Sequence, residues 1–473
     1  MKKNKIIIVA LMFLLGRYST TYAQLNNSSI SFNEFIELVK KEHPLYKKAT
    51  NMVDIGKYQA ASASGLFDPQ LNGSIDNKYF SSQNYYTQAN AELKQGLYSG
   101  QTIKAGYEYG YGPQVNPEAK TSLTGLPYLG IEFSLLQGLI IDKRRYEVLK
   151  GKQYQKIFEA ESKIEMNELL LISSELYLNW LKDYTITDVN KRFLETANQR
   201  LKALVTLSEV GEKPAIDTIE ASILNQSREI EYFNSKVQLN KSFYQFLSFV
   251  WANDSNNAKQ NFIPSQAMSK LTEQCYSKSV FVENFTSNQN PYLNLYSNKS
   301  NLLNLERKYK AELVKPKLDL KYNFLANNNP DFNNETSNSY FLNNYKWGAG
   351  FSMPLLLRTS VNDLKIAKLN LKNNNYELAN KTAELENKIT AMKGNMSLLA
   401  NQIELAQKTL NYSRLLMEAE KIKFENNESS LFLLNTRESK VLESEIKLIE
   451  TQYKFISAYF YLVYLKGDLA YQL

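Results

Sequence analysis

Reactive side chains are scarce in this 473-residue chain. It holds one histidine, His43, and one cysteine, Cys275, which excludes the common metal clusters and a Cys–His nucleophile pair. His43 precedes Pro44 at a helix break and reads as structural. Cys275 has no histidine to activate it, reads as a buried, inert thiol and leaves no internal disulfide. No Gly-rich phosphate loop or G-x-S-x-G elbow occurs. The many carboxylates fall on helix faces, where charge serves solubility. These residue types point away from an enzyme and imply no cofactor or metal. Four tight groups remain. Asp217 and Glu220 lie three apart on one helix face, where they either favour the helix dipole or face a pore. Leu431, Phe432, Leu433 and Leu434 form an apolar cluster, read either as core between helices or as an exposed constriction or contact surface. Arg437 and Glu438 follow it as solvated or docking residues. Asp142-Lys143-Arg144-Arg145 opens a long helix just after a strand, either solvated or facing lipid headgroups.

The elements that must position these groups are long helices. From about Thr359 to Asn426 nothing is strong enough to end one, and Gly394 inside it costs about 1 kcal/mol against alanine. Leu364, Leu371, Leu378, Leu385, Met392 and Leu399 recur every seven residues, then Ile389, Met396, Ile403, Leu410, Met417 and Phe424 take over. A strict seven-residue repeat predicts a helix supercoiled against a partner. At 1.5 Å per residue it is on the order of 100 Å long. A similar helix runs from about Asp142 to Glu209. After Val210-Gly211-Glu212-Lys213-Pro214, the next carries Ile216, Ile223, Ile230, Val237, Tyr244 and Trp251 in sevens. After Asn426-Asn427-Glu428 the last carries Leu434, Val441, Leu448, Phe455 and Leu462.

Residues 1–23 read as a secretory signal, with Lys2, Lys3 and Lys5 before the apolar run Ile6–Leu15 and cleavage after Ala23. No later stretch reaches the ~18 apolar residues of a transmembrane helix. Loss of Lys2, Lys3, Lys5 and Arg17 lowers the formal charge of +8 to +4, too weak and evenly spread for nucleic acid. The anomaly is tyrosine, 32 residues against 3 tryptophans, which suits strands at a membrane–water interface. Period-two segments follow: Leu71 to Asp76, Tyr85 to Leu97, Ile103 to Tyr111 and Leu129 to Leu135. Stretches of about ten residues, apolar on one face and polar on the other, fit a transmembrane β-barrel, and a soluble sandwich gives the same alternation.

The pattern then repeats. A first repeat covers 24–251, with strands about 69–137 and long helices about 142–211 and 214–251. A polar linker covers 252–277. A second repeat covers 278–473, with strands about 316–354 and long helices about 359–426 and 429–472. A short helix Val280–Thr286, the break Asn290-Pro291 and a helix Tyr292–Val314 mirror the helix Ser31–Lys41, His43-Pro44 and the helix after it. Phe67-Asp68-Pro69-Gln70-Leu71 answers Val314-Lys315-Pro316-Lys317-Leu318, and Gly211-Glu212 answers Asn427-Glu428. The halves differ in the strand region, with room for four strands in the first and two in the second, around an asparagine-rich loop Asn327–Asn338. Whether 85–111 adds barrel strands or folds as an accessory hairpin stays open.

This order resembles the TolC family of outer-membrane efflux proteins over essentially the whole mature chain. The most specific pieces are the duplication, Lys315-Pro316-Lys317-Leu318, Met353-Pro354-Leu355-Leu356 and the two helix turns. The resemblance implies a mainly α fold with membrane β. Duplicated helical hairpins would form a trimeric periplasmic α-barrel, and strands from each protomer a trimeric transmembrane β-barrel in outer-membrane lipid. It implies a passive outer-membrane conduit of a tripartite efflux or type I secretion system, a homotrimer served by a periplasmic adaptor and an inner-membrane transporter. Adaptor docking falls on Gly211, Glu212, Lys213, Asn427, Glu428 and Arg437. The family's acidic ring falls on Leu433 and Thr436, neither acidic, and its closing links on Phe424 and Ser429. Asp217 and Glu220 stand on the other hairpin. An acidic gate therefore does not carry over, and an apolar constriction at Leu433 replaces it. The alternative is a periplasmic coiled-coil adaptor or scaffold, which calls for small soluble β-domains.

Overall fold

In a computed structural model of the chain, residues 28–251, 262–279, 290–326 and 344–472 are described. The signal segment, the helix Val280–Thr286 and the loop Asn327–Asn338 lie outside them. Two compact units interleave along the sequence, one of Met1–His43, Ile172–Lys278 and Leu399–Ser457, the other of Pro44–Leu171, Ser279–Leu398 and Ala458–Leu473.

The elements run β1 (Ser28–Ile30), α1 (Phe32–Glu42), α2 (Pro44–Ser64), β2 (Gln70–Phe80), β3 (Gln83–Gly96), β4 (Thr102–Tyr111), β5 (Leu126–Ser134), α3 (Lys143–Glu209) and α4 (Ala215–Leu247). They continue as β6 (Phe262–Pro264), α5 (Met268–Ser279), α6 (Pro291–Glu312), β7 (Lys317–Leu325), β8 (Tyr345–Ser352), α7 (Arg358–Glu425), α8 (Leu431–Lys466) and α9 (Leu469–Gln472). At 67 and 68 residues, α3 and α7 each reach on the order of 100 Å. No described helix is apolar enough to cross a membrane.

In the first unit, α1 starts on a capping box in which Ser31 and Glu34 satisfy each other's backbone amides, as S-x-x-E spacing dictates. Its Phe32, Phe35, Ile36 and Val39 are buried. Phe35 meets Phe246 at 4.8 Å between ring centroids, and Trp180 stacks on Phe246 at 4.3 Å. β1 and β6 pair in parallel, Ser28 with Phe262. The expected polar linker 252–277 thus carries β6 and α5 over its described part. The amphipathic run Met268, Leu271 and Cys275 is buried, a three-to-four spacing that the surrounding polar residues masked. Burial pushes the Cys275 thiol up to about 12, which keeps it protonated and inert.

Two heptad lines behave in opposite ways in this unit. Leu434, Val441, Leu448 and Phe455 of α8 are buried. Ile216, Ile223, Ile230, Val237 and Tyr244 of α4 are exposed by 62% or more. The face that α4 buries instead is another line of sevens, Ala221, Arg228, Ser235 and Ser242. Small or hydrogen-bonded residues let α4 lie close to its neighbours there, and the apolar stripe faces away from the protomer.

In the second unit, α2 packs on α3 through glycines: a Cβ on Gly56 would meet the Phe158 Cβ at 3.0 Å, and one on Gly151 the Ala63 Cβ at 3.0 Å. Asn290 caps α6, its Oδ1 accepting from Tyr292 N–H at 3.0 Å, while its Nδ2 donates to the Leu465 carbonyl at 2.9 Å. Asn167 donates to the Tyr464 carbonyl and accepts from Leu469 N–H. One antiparallel sheet of order β2-β3-β4-β5-β7-β8 completes the unit. The first repeat supplies four of its strands and the second two, and the segment 85–111 lies inside it as β3 and β4.

Candidate functional site

The two helix turns have one design. Gly211 sits at φ +80° and Asn427 at φ +59°, the left-handed conformation that glycine and asparagine tolerate at helix ends. Glu212 N–H reaches the Leu207 carbonyl at 2.9 Å, and Glu428 N–H reaches that of Lys423 at 2.8 Å. Both turns thus close by the same bond five residues back, which the duplicated Gly-Glu and Asn-Glu pairs encode.

The turns meet through Lys213, whose Nζ donates to Asn427 Oδ1 at 2.5 Å and lies 4.9 Å from the centroid of the Phe424 ring. Phe424 packs with Leu201 against the buried Leu204, Ala221 and Leu431. Ser429 donates to Glu420, which also pairs with Arg437 at 3.6 Å. The Ser429 hydroxyl holds the Glu420 carboxyl below its usual range. Glu220 accepts from Asn435 at 3.3 Å. The structure therefore joins Lys213, Phe424 and Asn427, and links Ser429 to Arg437 through Glu420. Asp217 is half-buried in the first turn of α4. Thr436 is exposed and its hydroxyl donates back to the Phe432 carbonyl at 2.8 Å. Glu212 and Glu428 are exposed.

The apolar cluster divides. Leu431 and Leu434 are buried, whereas Phe432 and Leu433 are exposed, so alternate sides of the first helical turn serve core and surface. Glu438, expected to be solvated, is instead buried and salt-bridged to Arg200, which also donates to Asn435 at 3.1 Å. Its position seven residues after Leu431 places it on the core line, and the partner in α3 supplies the compensating charge. Further along, Glu445 sits between Arg192 at 2.7 Å and Arg414 at 3.1 Å, and the bond to Glu445 raises the Arg192 pKa. Arg228 donates to Ser439 and pairs with Glu231. Sequence spacing signalled none of these crosslinks except for the seven-residue offset of Glu438.

The sheet offers a second surface. Register puts Leu71, Leu93, Ile103, Ile131, Leu318 and Phe351 on one face near the helices. Tyr79, Tyr107, Tyr109, Tyr111, Tyr322, Tyr345 and Trp347 lie on that same face toward the far end, an aromatic girdle above an aliphatic band. The opposite face carries alternating charge across four strands: Lys94 to Glu92 at 2.8 Å, Glu92 to Lys104 at 3.8 Å, Lys104 to Glu132, and Glu132 to Lys321 at 3.4 Å. At the helix-side end, Arg144 and Arg145 are consumed internally. Arg144 donates to Thr102 and the Gly100 carbonyl, Arg145 to the Gly138 and Leu139 carbonyls, and both pair with Asp142. Arg144 thus fastens α3 to the β3–β4 turn and Arg145 fastens it to the loop that leads into it, while Lys143 is exposed.

No family model and no curated protein matches the chain. Solved structures do. The chain superposes on the outer membrane channel CmeC of Campylobacter jejuni with a TM-score of 0.63 at 14% identity, covering 92% of this chain and 85% of that one. For the outer membrane protein VceC of Vibrio cholerae the values are 0.62, 12%, 92% and 95%. For the MtrE outer membrane channel of Neisseria gonorrhoeae they are 0.60, 11%, 92% and 88%. At these identities the likeness shows the fold, and this chain has the TolC-type fold of outer-membrane channels.

Proposed function

We propose that this chain is one protomer of a trimeric outer-membrane conduit that passively exports cargo delivered by an inner-membrane pump through a periplasmic adaptor. The observation that carries the reading is the sheet: one face is apolar with an aromatic girdle, the other is charged, and neither edge has a strand partner among the described residues. Unpaired backbone cannot sit in lipid, so such a sheet spans a membrane by closing with sister copies. The exposed stripe from Ile216 to Tyr244 supports the same assembly, because helices of this length need apolar neighbours. The charged sheet face would then line water, and α3 and α7 would reach across the periplasm.

In this assembly the paired turns form the far opening. Leu433 and Phe432 give an apolar constriction, Asp217, Glu220 and Thr436 stand beside it, and Lys213 on Phe424 links neighbouring hairpins. Gly211, Glu212, Asn427, Glu428 and Arg437 present the adaptor-docking rim. An adaptor or scaffold is disfavoured because six of the eight described strands form one two-faced sheet rather than small separate β-domains. Detergent extraction from outer membranes followed by mass determination tests the reading. A membrane-bound trimer is expected, and a water-soluble monomer would overturn it.

A further inference from the structure

The register of the sheet says how many strands each copy gives to the membrane. We propose that all six strands are staves of one barrel, so that three copies close eighteen strands around a wide aqueous lumen. This rests on the conduit reading and goes beyond it, because β2 and β3 could fold as a side hairpin in a narrower barrel.

Three observations favour six staves. The first is tilt. Following directly opposed partners across the sheet gives Gln70, Lys94, Lys104, Gly130, Asn323 and Lys346. Measured from each strand's helix-side end, these lie 0, 2, 2, 4, 6 and 6 residues in. The drift runs one way, in steps of 2, 0, 2, 2 and 0 residues, and does not reverse at the extra strands. Six residues of about 3.4 Å over five spacings of about 4.8 Å make a tilt of roughly 40°, within the roughly 35–45° of membrane barrels. The second is the charge ladder, which enters from β3 and crosses β4 and β5 to β7. Tyr128 of β5 lies over Gly106 of β4, and its hydroxyl donates to Glu92 of β3 at 2.7 Å, which binds three strands together. The third is the pair of edges. Every residue of β2 and of β8 is exposed, unlike the strands between them. An even number of alternating strands makes β2 and β8 run in opposite directions, so β8 of one copy meets β2 of the next antiparallel. Leu71 and Ile75 then continue the lipid-facing band of Trp347 and Phe351. Barrels of 16–18 strands leave a water-filled channel, so the membrane segment would not restrict cargo.

Electron cryo-microscopy of the full-length protein in lipid nanodiscs tests this directly. Eighteen strands around one lumen are expected. A trimer with twelve strands and a hairpin outside the barrel would overturn the strand count and leave the conduit standing, whereas a lone molecule would overturn both. As a second measurement, Ser74→Cys in β2 is combined with Lys346→Cys, Gly348→Cys or Gly350→Cys in β8, Cys275 being buried. At least one pair should give covalent trimers on oxidation. Trimers formed instead by Lys104→Cys with the same β8 positions would make β4 the edge and sink the proposal.

Discussion

The helices α4 and α8 occupy equivalent places in the duplicated halves and carry equally regular heptads, yet they pack oppositely. Val441 of α8 is 3% exposed and Val237 of α4 is 63% exposed. In α8 the apolar line closes the protomer's own core, with Val441 and Leu448 against Leu410 of α7. In α4 the apolar line is left over, and Arg228, Ser235 and Ser242 turn inward. The lesson is that a heptad reports a face that must be covered, and does not say whether the cover lies in the same chain.

The largest effects should come from placing a charge on each line. Val441→Asp buries an unpaired carboxylate and should destabilise by about 3–5 kcal/mol, read as loss of folded protein in thermal unfolding. Val237→Asp should leave the protomer's helical signal unchanged and abolish the trimer in detergent. If Val237→Asp unfolds the protein, or leaves the trimer intact, the contrast between the helices is broken.

The polar crosslinks sharpen the same contrast. Arg200→Met strands the buried Glu438 of α8 and should cost about 2–3 kcal/mol. Arg228→Met in α4 leaves behind a serine hydroxyl and the more exposed Glu231, so its cost should be about 1 kcal/mol. Adding Glu438→Gln should rescue the first variant and leave the second unchanged in urea titrations. Smaller still, Lys213→Ala should change stability by less than about 1 kcal/mol. If the turns close the opening, that variant should raise single-channel conductance in planar bilayers.

The smallest effect is a pH dependence beyond the end of α4. His43 packs 4.9 Å from the Phe249 ring and near Trp251, and burial lowers its pKa. As pH falls through about 6.5, the unfolded chain takes up this proton first. The His43 contribution to stability is therefore present above that value and lost below it. His43→Phe should flatten the midpoint of unfolding between pH 7.5 and 5.5.

Much of this architecture was legible because it is periodic. The lines Ile389 to Phe424 and Leu434 to Phe455 do turn inward, and the two strand regions hold four and two strands. The turns were legible too, since glycine and asparagine mark left-handed positions. What escaped is what periodicity does not encode. Burial of Glu438 depends on an arginine more than two hundred residues away, and the role of Arg144 depends on the Gly100 carbonyl in a neighbouring turn. The helix Met268–Ser279 escaped because its three core residues sit among polar ones. At the candidate constriction, Leu433 and Phe432 look in sequence like their buried neighbours Leu431 and Leu434, and a quarter-turn of helix separates the two fates.

The short parallel pairing of β1 with β6 sets an order of events during biogenesis. Ser28 finds its mate at Phe262, and Ile30 offers its carbonyl to Tyr177. Ile30 can meet Tyr177 once α3 has been made, whereas the pairing with Phe262 waits until more than half of the chain has been synthesised, and contacts of such separation form slowly. The segment Ser28–Ile30 is therefore fixed in two stages, first onto α3 and only later into its strand pair.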